Sequence, residues 1–275
     1  MLVVAGAGSG KTRVLTRRIA YVLASKRATP AEILAITFTN KAAAEMRERI
    51  TELIGDVAGR MWIGTFHSIC VRILRANAKA LGFKSSFTIY DAADSQRLLT
   101  IISQEQNLDT RRFGPKFLSS QISKLKDELV DPETFAGQVS QGLNDDGTQI
   151  VSSDIADVVS TVYSEYQRRL LQANAMDFDD LIMTTVNLLQ AFPDIAEHYR
   201  RRFRHILVDE YQDTNHAQYV LVRELGGVDT TAEVPPAEIT VVGDADQSIY
   251  AFRGATIRNI EEFEADYPSA TTVLL

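Results

Sequence analysis

The chain has 275 residues, 45% of them hydrophobic and 24% charged, with a formal net charge of −7. This is the make-up of a globular protein with a substantial core; the charge argues against a globally basic nucleic-acid coat, though not against a local basic groove, and there is no low-complexity tract. The single cysteine, Cys70, excludes an intrachain disulfide and a multi-cysteine metal site, and no apolar run approaches the ~20 residues a bilayer-spanning helix needs, so a reducing cytoplasm is expected.

Taken in chain order, Leu2–Ala5 reads as a buried strand leading into a helix over 11–23. The opening residues have neither the basic start nor the cleavage site of a signal peptide, so the chain is expected to begin inside a strand of its fold. Ile33–Phe38 leads into a helix over 41–54 with Asn40 as its N-cap, and Met61–Thr65 into a helix over 67–80. Further strands are expected at Ile206–Asp209, Ile239–Gly243 and Thr271–Leu275. Strands alternating with helices predict a parallel α/β sheet with helices on both faces.

From about Asp91 to Phe203 the spacing becomes helical, as in Ile155, Val158, Val159, Val162 and Tyr166. This predicts a mostly helical insertion over 91–203, between core segments 1–90 and 204–275. Residues 142–147 form a polar turn within it, and 232–237 a proline-containing surface connection. The charged stretch Lys124–Glu128 reads most simply as a solvated helix face.

Three segments carry chemistry. Ala5-Gly6-Ala7-Gly8-Ser9-Gly10-Lys11-Thr12 follows a strand and opens a helix, which is the P-loop arrangement. Its glycines let backbone N–H groups surround phosphate oxygens; Lys11 reaches the β- and γ-phosphates and Thr12 ligates Mg²⁺. The strict pattern has glycine where this chain has Ala5, and a glycine-rich turn of a Rossmann-like fold is the plain alternative. In the second segment, Ile206–Thr214, Asp209 and Glu210 stand at the end of an apolar strand, a costly place for two carboxylates without a task. Asp209 suits the metal and Glu210 the attacking water; an acidic helix cap is the other reading. The third, Val241–Gly254, again delivers polar groups to a sheet edge. There Gln247 can sense the γ-phosphate, and Tyr250, Phe252 and Arg253 make a cluster that stacks bases or, equally, packs a core.

These segments, with Thr37-Phe-Thr-Asn-Lys-Ala-Ala-Ala-Glu-Met-Arg47, Gly64-Thr-Phe-His-Ser68 and Asp177-Phe-Asp-Asp-Leu181, stand in an order and wording that resemble the UvrD/Rep/PcrA family of superfamily 1 DNA helicases. The resemblance covers essentially the whole chain. It implies a RecA-like core domain (1A) carrying a helical insertion (1B), ATP and Mg²⁺ as cofactors, and single-stranded DNA and single/double-strand junctions as substrates. Arg13 would stack on adenine. Phe38, Asn40, Thr65, Phe66 and His67 would floor the single-strand track, which Tyr250, Phe252 and Arg253 continue. The family commonly has Trp where this chain has Phe252. His67 alone reads as structural, since no nearby Cys or His completes a metal site; the DNA role comes from the resemblance. By the same resemblance, lysines of 124–128 could face duplex DNA.

The family's adenine-reading glutamine motif precedes its P-loop, and a second RecA-like domain supplies a further arginine; neither is among these residues. The expected protein is therefore the ATP-binding half of a 3′→5′ DNA helicase or translocase of repair or replication, cytoplasmic and nucleoid-associated, inactive alone in unwinding. Alternatives are the motor portion of a helicase–nuclease, a non-catalytic module binding DNA or a repair or replication partner, and a small-molecule P-loop kinase. The last leaves Phe38, His67 and Tyr250–Arg253 without a task.

Overall fold

The computed structural model describes residues 1–4, 10–142, 153–243, 263 and 265–274. Its elements run β1 (Leu2–Val4), α1 (Lys11–Ala24), β2 (Ile33–Thr37), α2 (Asn40–Ile54), β3 (Trp62–Thr65), α3 (Phe66–Asn77), β4 (Thr88–Tyr90), α4 (Ala92–Glu105), α5 (Pro115–Asp127), α6 (Pro132–Gln141), α7 (Ser153–Gln172), β5 (Ala175–Asp177), α8 (Phe178–Ala191), α9 (Pro193–Arg202), β6 (His205–Val208), α10 (His216–Gly226), β7 (Glu238–Gly243) and β8 (Thr272–Leu274). They divide into two compact units: Met1–Arg72 with Thr185–Leu275, and Ile73–Thr184. The second unit thus begins and ends earlier than the helical rhythm over 91–203 predicts.

In the first unit six strands form one sheet in the order β3-β2-β6-β7-β1-β8. The pairings among the described residues are parallel, with Thr37 opposite Thr65, Val208 opposite Val241 and Val4 opposite both Gly243 and Leu274. All five residues of β2 are buried, as expected of a strand covered on both faces. Successive side chains point to opposite faces. Val3, Ile33, Leu207 and Val242 share a cluster with Leu15 and Ile19 of α1 and with Met46 and Ile50 of α2. Ile206 and Ile239, one residue out of step, face the end of α10, where a Cβ at Gly226 would stand 2.6 Å from Ile239 Cδ1. Helices therefore cover both faces, as the α/β pattern predicts. The cap of α2 is one residue earlier than expected: Thr39 Oγ1 accepts the Ala42 N–H at 3.1 Å, and Asn40 is the first helical residue.

In the second unit Leu99, Leu118, Ile122, Val162, Tyr163 and Tyr166 anchor a core shared by α4, α5 and α7. The expected apolar spacing of α7 is visible in it, with Val159, Val162 and Tyr166 buried. A two-stranded parallel pair, β4 with β5, was not legible in the helical rhythm, because three-residue strands leave no period to detect.

The solvated-face expectation for Lys124–Glu128 fails at Lys126, which is 1% exposed. Its Nζ lies 2.7 Å from Asp177 Oδ2 and 2.8 Å from Asp180 Oδ1. Tyr166 Oη donates to Asp177 Oδ2 at 2.9 Å, and Asp177 and Asp180 accept each other's backbone N–H groups across the first turn of α8. A lysine enters a core only with such partners. Burial pushes the Asp180 carboxyl up to about 6 against the pull of Lys126, with the Asp177 charge adding to the rise. At Asp177 burial pushes upward too, but the charge and hydrogen bond of Lys126 win and hold its carboxyl below the usual range.

Candidate functional site

The N-terminus of α1, the ends of β2 and β3, and the turn after β6 all lie at the C-terminal edge of the sheet, where open α/β folds place ligands. Gly10 caps α1 with φ 87° and ψ 28°, a left-handed conformation that glycine adopts without strain. It offers no side-chain cap, and the first turn of α1 carries no acidic residue. The N–H groups and partial positive charge of that turn are thereby left for an anion.

Lys11 is the next residue, only 8% exposed, with Nζ 3.2 Å from Glu210 Oε2. The Thr12 hydroxyl donates to Asp209 Oδ2 at 3.2 Å, so the start of α1 and the turn after β6, nearly 200 positions apart, meet in two adjacent contacts. Asp209 is 3% exposed and is held by the sheet itself, its N–H donating to Ile36 O at 3.0 Å. Glu210 turns the chain with φ 49° and ψ 44°. A non-glycine residue held there costs of order 1–3 kcal/mol, and such strain clusters where a side chain must be aimed.

Gln212, buried at 3% exposure, donates Nε2 to Glu210 Oε2 at 2.8 Å. A Cβ at Gly243 would stand 3.1 Å from Gln212 Oε1, so the end of β7 accommodates this amide through a missing side chain. Sequence reasoning gives Gln212 no role. The available signal is an amide two residues past a candidate catalytic carboxylate, within reach of it in a tight turn.

Burial, and then the Glu210 charge, raise the Asp209 carboxyl above the usual aspartate range despite the Thr12 hydroxyl and the charge of Lys11. Asp213 is raised by the same two causes. The Thr12 hydroxyl and Asp209 carboxylate are hard oxygen donors side by side, a pair that fits Mg²⁺ completed by phosphate and water oxygens. Among the described residues no group of three or more His, Cys, Asp and Glu forms another metal cluster.

Arg13 is exposed on α1 and borders an open cavity of about 570 Å³ with Gly10, Val14, Arg17 and Tyr21. The residues expected to contact a single strand follow β2 and β3, which are hydrogen-bonded neighbours. Phe38 is half-buried and meets Phe66 edge-on, with centroids 5.5 Å apart. Phe66 is itself 1% exposed, so its ring backs Phe38 instead of offering a surface. Asn40 is exposed and His67 half-buried. Thr65 is 8% exposed, and its hydroxyl accepts the Ser68 N–H at 3.2 Å, capping the first turn of α3. Ala5, Gly6, Ala7, Gly8, Ser9, Gln247, Tyr250, Phe252 and Arg253 lie outside the described residues.

The family described as UvrD/REP helicase N-terminal domain matches residues 1–268. The ATP-dependent DNA helicase UvrD1 of Mycobacterium tuberculosis is 62% identical over 276 residues, which take in 100% of this chain and 35% of the relative. UvrD1 of Mycobacterium leprae is 60% identical over 280 residues, and the ATP-dependent DNA helicase PcrA of Bacillus subtilis 50% over 275, with the same two shares covered. The chain thus spans about a third of the length of the relatives it matches.

Proposed function

This chain belongs to the UvrD/REP helicase family, and from that premise we propose that it forms the ATP-binding half of an ATP-dependent 3′→5′ DNA helicase or translocase acting on single-stranded DNA and its junctions with duplex. The observation that carries the proposal is the convergence of Lys11, Thr12, Asp209 and Glu210 in two contacts of 3.2 Å.

In this reading the α1 N-terminus and Lys11 bind the nucleotide phosphates, Lys11 exchanging its contact with Glu210 for the β- and γ-phosphates. Thr12 and Asp209 hold Mg²⁺, whose part is to neutralise charge that develops on the phosphate oxygens. Glu210, aimed by its left-handed backbone, orients the attacking water and accepts its proton. Gln247 senses the γ-phosphate, and Arg13 stacks on the adenine. Phe38, Asn40, Thr65 and His67 contact the single strand, with Tyr250, Phe252 and Arg253 continuing the track. Phe66 supports it from beneath. Movement along DNA requires core domains that open and close about the nucleotide, so unwinding is assigned to the longer protein and not to these residues alone. No described helix is long and apolar enough to cross a membrane.

The test is Mg²⁺–ATP binding and hydrolysis by the 275-residue chain with and without single-stranded DNA, beside Lys11→Ala. We expect saturable ATP binding that the variant loses, and slow hydrolysis without unwinding. Equal binding by wild type and variant would show that the convergence is not a nucleotide site. Binding without any turnover would favour the non-catalytic module.

A further inference from the structure

Trp62 opens β3, the edge strand of the sheet, roughly 10 Å along the strand from Thr65 and the candidate site edge. Its indole is 5% exposed, with Tyr199 and Phe203 edge-on at centroid distances of 6.4 and 5.0 Å. Two guanidinium groups crowd the same ring: Arg72 Cζ lies 3.8 Å and Arg202 Cζ 4.8 Å from its centroid. Stacking on an aromatic face holds an arginine but cancels none of its charge.

Among the described residues, no carboxylate pairs with either guanidinium. The neighbouring arginines are all provided for. Arg200 pairs with Glu224, Arg201 with Glu197 and Glu233, and Arg204 donates to the carbonyls of Arg200, Pro235 and Pro236. Burial and then the nearby charge of Arg202 hold the Arg72 guanidinium below its ordinary range. Two donors in the cluster are sealed from solvent without an acceptor, Trp62 Nε1 and Arg202 Nε. Buried donors are rarely left so, and an orphaned pair beside two uncompensated cations marks a place that lacks an anion.

We infer that Arg72, Arg202 and Trp62 form a binding site for one phosphate dianion, either inorganic phosphate or a phosphate monoester. The cluster contains donors only. Two positive charges match a doubly negative group, whose oxygens can accept from both guanidinium groups. A carboxylate or a backbone phosphodiester brings one charge and two free oxygens, leaving one guanidinium uncompensated. Arg72 is exposed and Arg202 half-buried, so the anion reaches the guanidinium groups from solvent. The site lies at the opposite end of β3 from the edge that carries Lys11, and it does not depend on the nucleotide reading.

Trp62 is the chain's single tryptophan, so indole emission reports on this site directly. The 275-residue chain is titrated with inorganic phosphate and with glycerol 3-phosphate; dimethyl phosphate and acetate at matched ionic strength serve as singly charged controls. We expect saturable changes with either or both of the first two and none with the controls. A response to phosphate alone assigns a free-ion site, and a response to the ester assigns a site for a phosphorylated ligand. Arg72→Gln and Arg202→Gln should each weaken binding at least about tenfold, the scale of one charge-assisted hydrogen bond. Arg201→Gln and Lys11→Ala should bind as wild type. The inference is overturned by an absent response, by an equal response to all four anions, by persistence in both glutamine variants, or by loss in Lys11→Ala. Should Arg202→Gln unfold, Arg72→Gln, on an exposed side chain, carries the test alone.

Discussion

Lys11 Nζ lies 3.2 Å from Glu210 Oε2, so the candidate phosphate-binding cation and the candidate catalytic carboxylate hold each other. The two roles separate on mutation. Lys11→Ala is expected to weaken Mg²⁺–ATP binding at least about tenfold and to slow any turnover about 10²–10³-fold, the usual loss for one charge-stabilising donor. Glu210→Gln should keep nucleotide affinity within about threefold while lowering turnover at least 10²-fold, since it removes a proton acceptor and not a phosphate contact. Fluorescent-nucleotide titration and single-turnover hydrolysis read the two effects. A Glu210→Gln chain that hydrolyses at the wild-type rate would disprove the assignment.

The amide of Gln212 holds the same Glu210 oxygen at 2.8 Å. In the proposed reading Lys11 turns to phosphate and Gln212 remains to aim the carboxylate. Gln212→Ala should therefore slow turnover about 10–100-fold, the worth of a hydrogen bond to a charged group, with nucleotide affinity unchanged. Gly243→Ala, whose Cβ would stand 3.1 Å from Gln212 Oε1, should do the same more weakly. A fall in affinity without a fall in rate would place Gln212 in phosphate binding instead.

A carboxyl ligates a metal only when ionised, and at Asp209, the proposed ligand, burial with the Glu210 charge raises the carboxyl above the ordinary aspartate range. As pH falls, protonation of Asp209 should thus displace Mg²⁺ or its reporter Mn²⁺ earlier than at a free aspartate. Glu210→Gln removes one raising charge, so the variant should retain metal to lower pH. Manganese paramagnetic titration between pH values of about 4 and 7 checks both curves. Coincident curves for wild type and variant would contradict the electrostatic account.

Lys126 is fully buried between Asp177 and Asp180. Lys126→Met leaves two carboxylates in a core without their counterion and should destabilise this unit by about 3–5 kcal/mol. Adding Asp180→Asn should recover part of the loss. The raised Asp180 carboxyl fixes a sign for pH as well. The folded state holds a proton up to about 6, above the unfolded aspartate value of 3.8, so the contribution of Asp180 to stability falls as pH rises through that window and is constant above it. Urea unfolding of wild type and Asp180→Asn across the window isolates the term. A cost under about 1 kcal/mol for Lys126→Met would reduce the cluster to an ordinary surface pair.

The parallel sheet was legible because β2, β3, β6 and β7 are apolar runs followed by helical spacing. The meeting of Lys11 and Thr12 with Glu210 and Asp209 was legible because a glycine-rich turn and a paired-carboxylate strand end have few other uses. What stayed hidden depended on distant partners. Lys126 looks solvated in Lys124–Glu128 until Asp177 and Asp180, some fifty residues on, arrive beside it. Phe66 looks as available as Phe38, and only packing decides that one ring supports the other. The strand β4 is three residues long and obtains its partner from the far side of four helices in sequence. Arg202 looks like its arginine neighbours, and only their ion pairs set it apart.

The sheet order has a consequence for synthesis. Among the described strands of this sheet β1 comes earliest in sequence, yet it is flanked by β7 and β8, which come latest. At ribosomal speeds of about 5–20 residues per second, Leu2–Val4 waits roughly 10–50 s before Val241–Gly243 emerges. The helical unit, whose two strands both lie between Thr88 and Asp177, closes during that interval. The nascent core meanwhile presents an unpaired apolar strand, the kind of segment that holding chaperones bind.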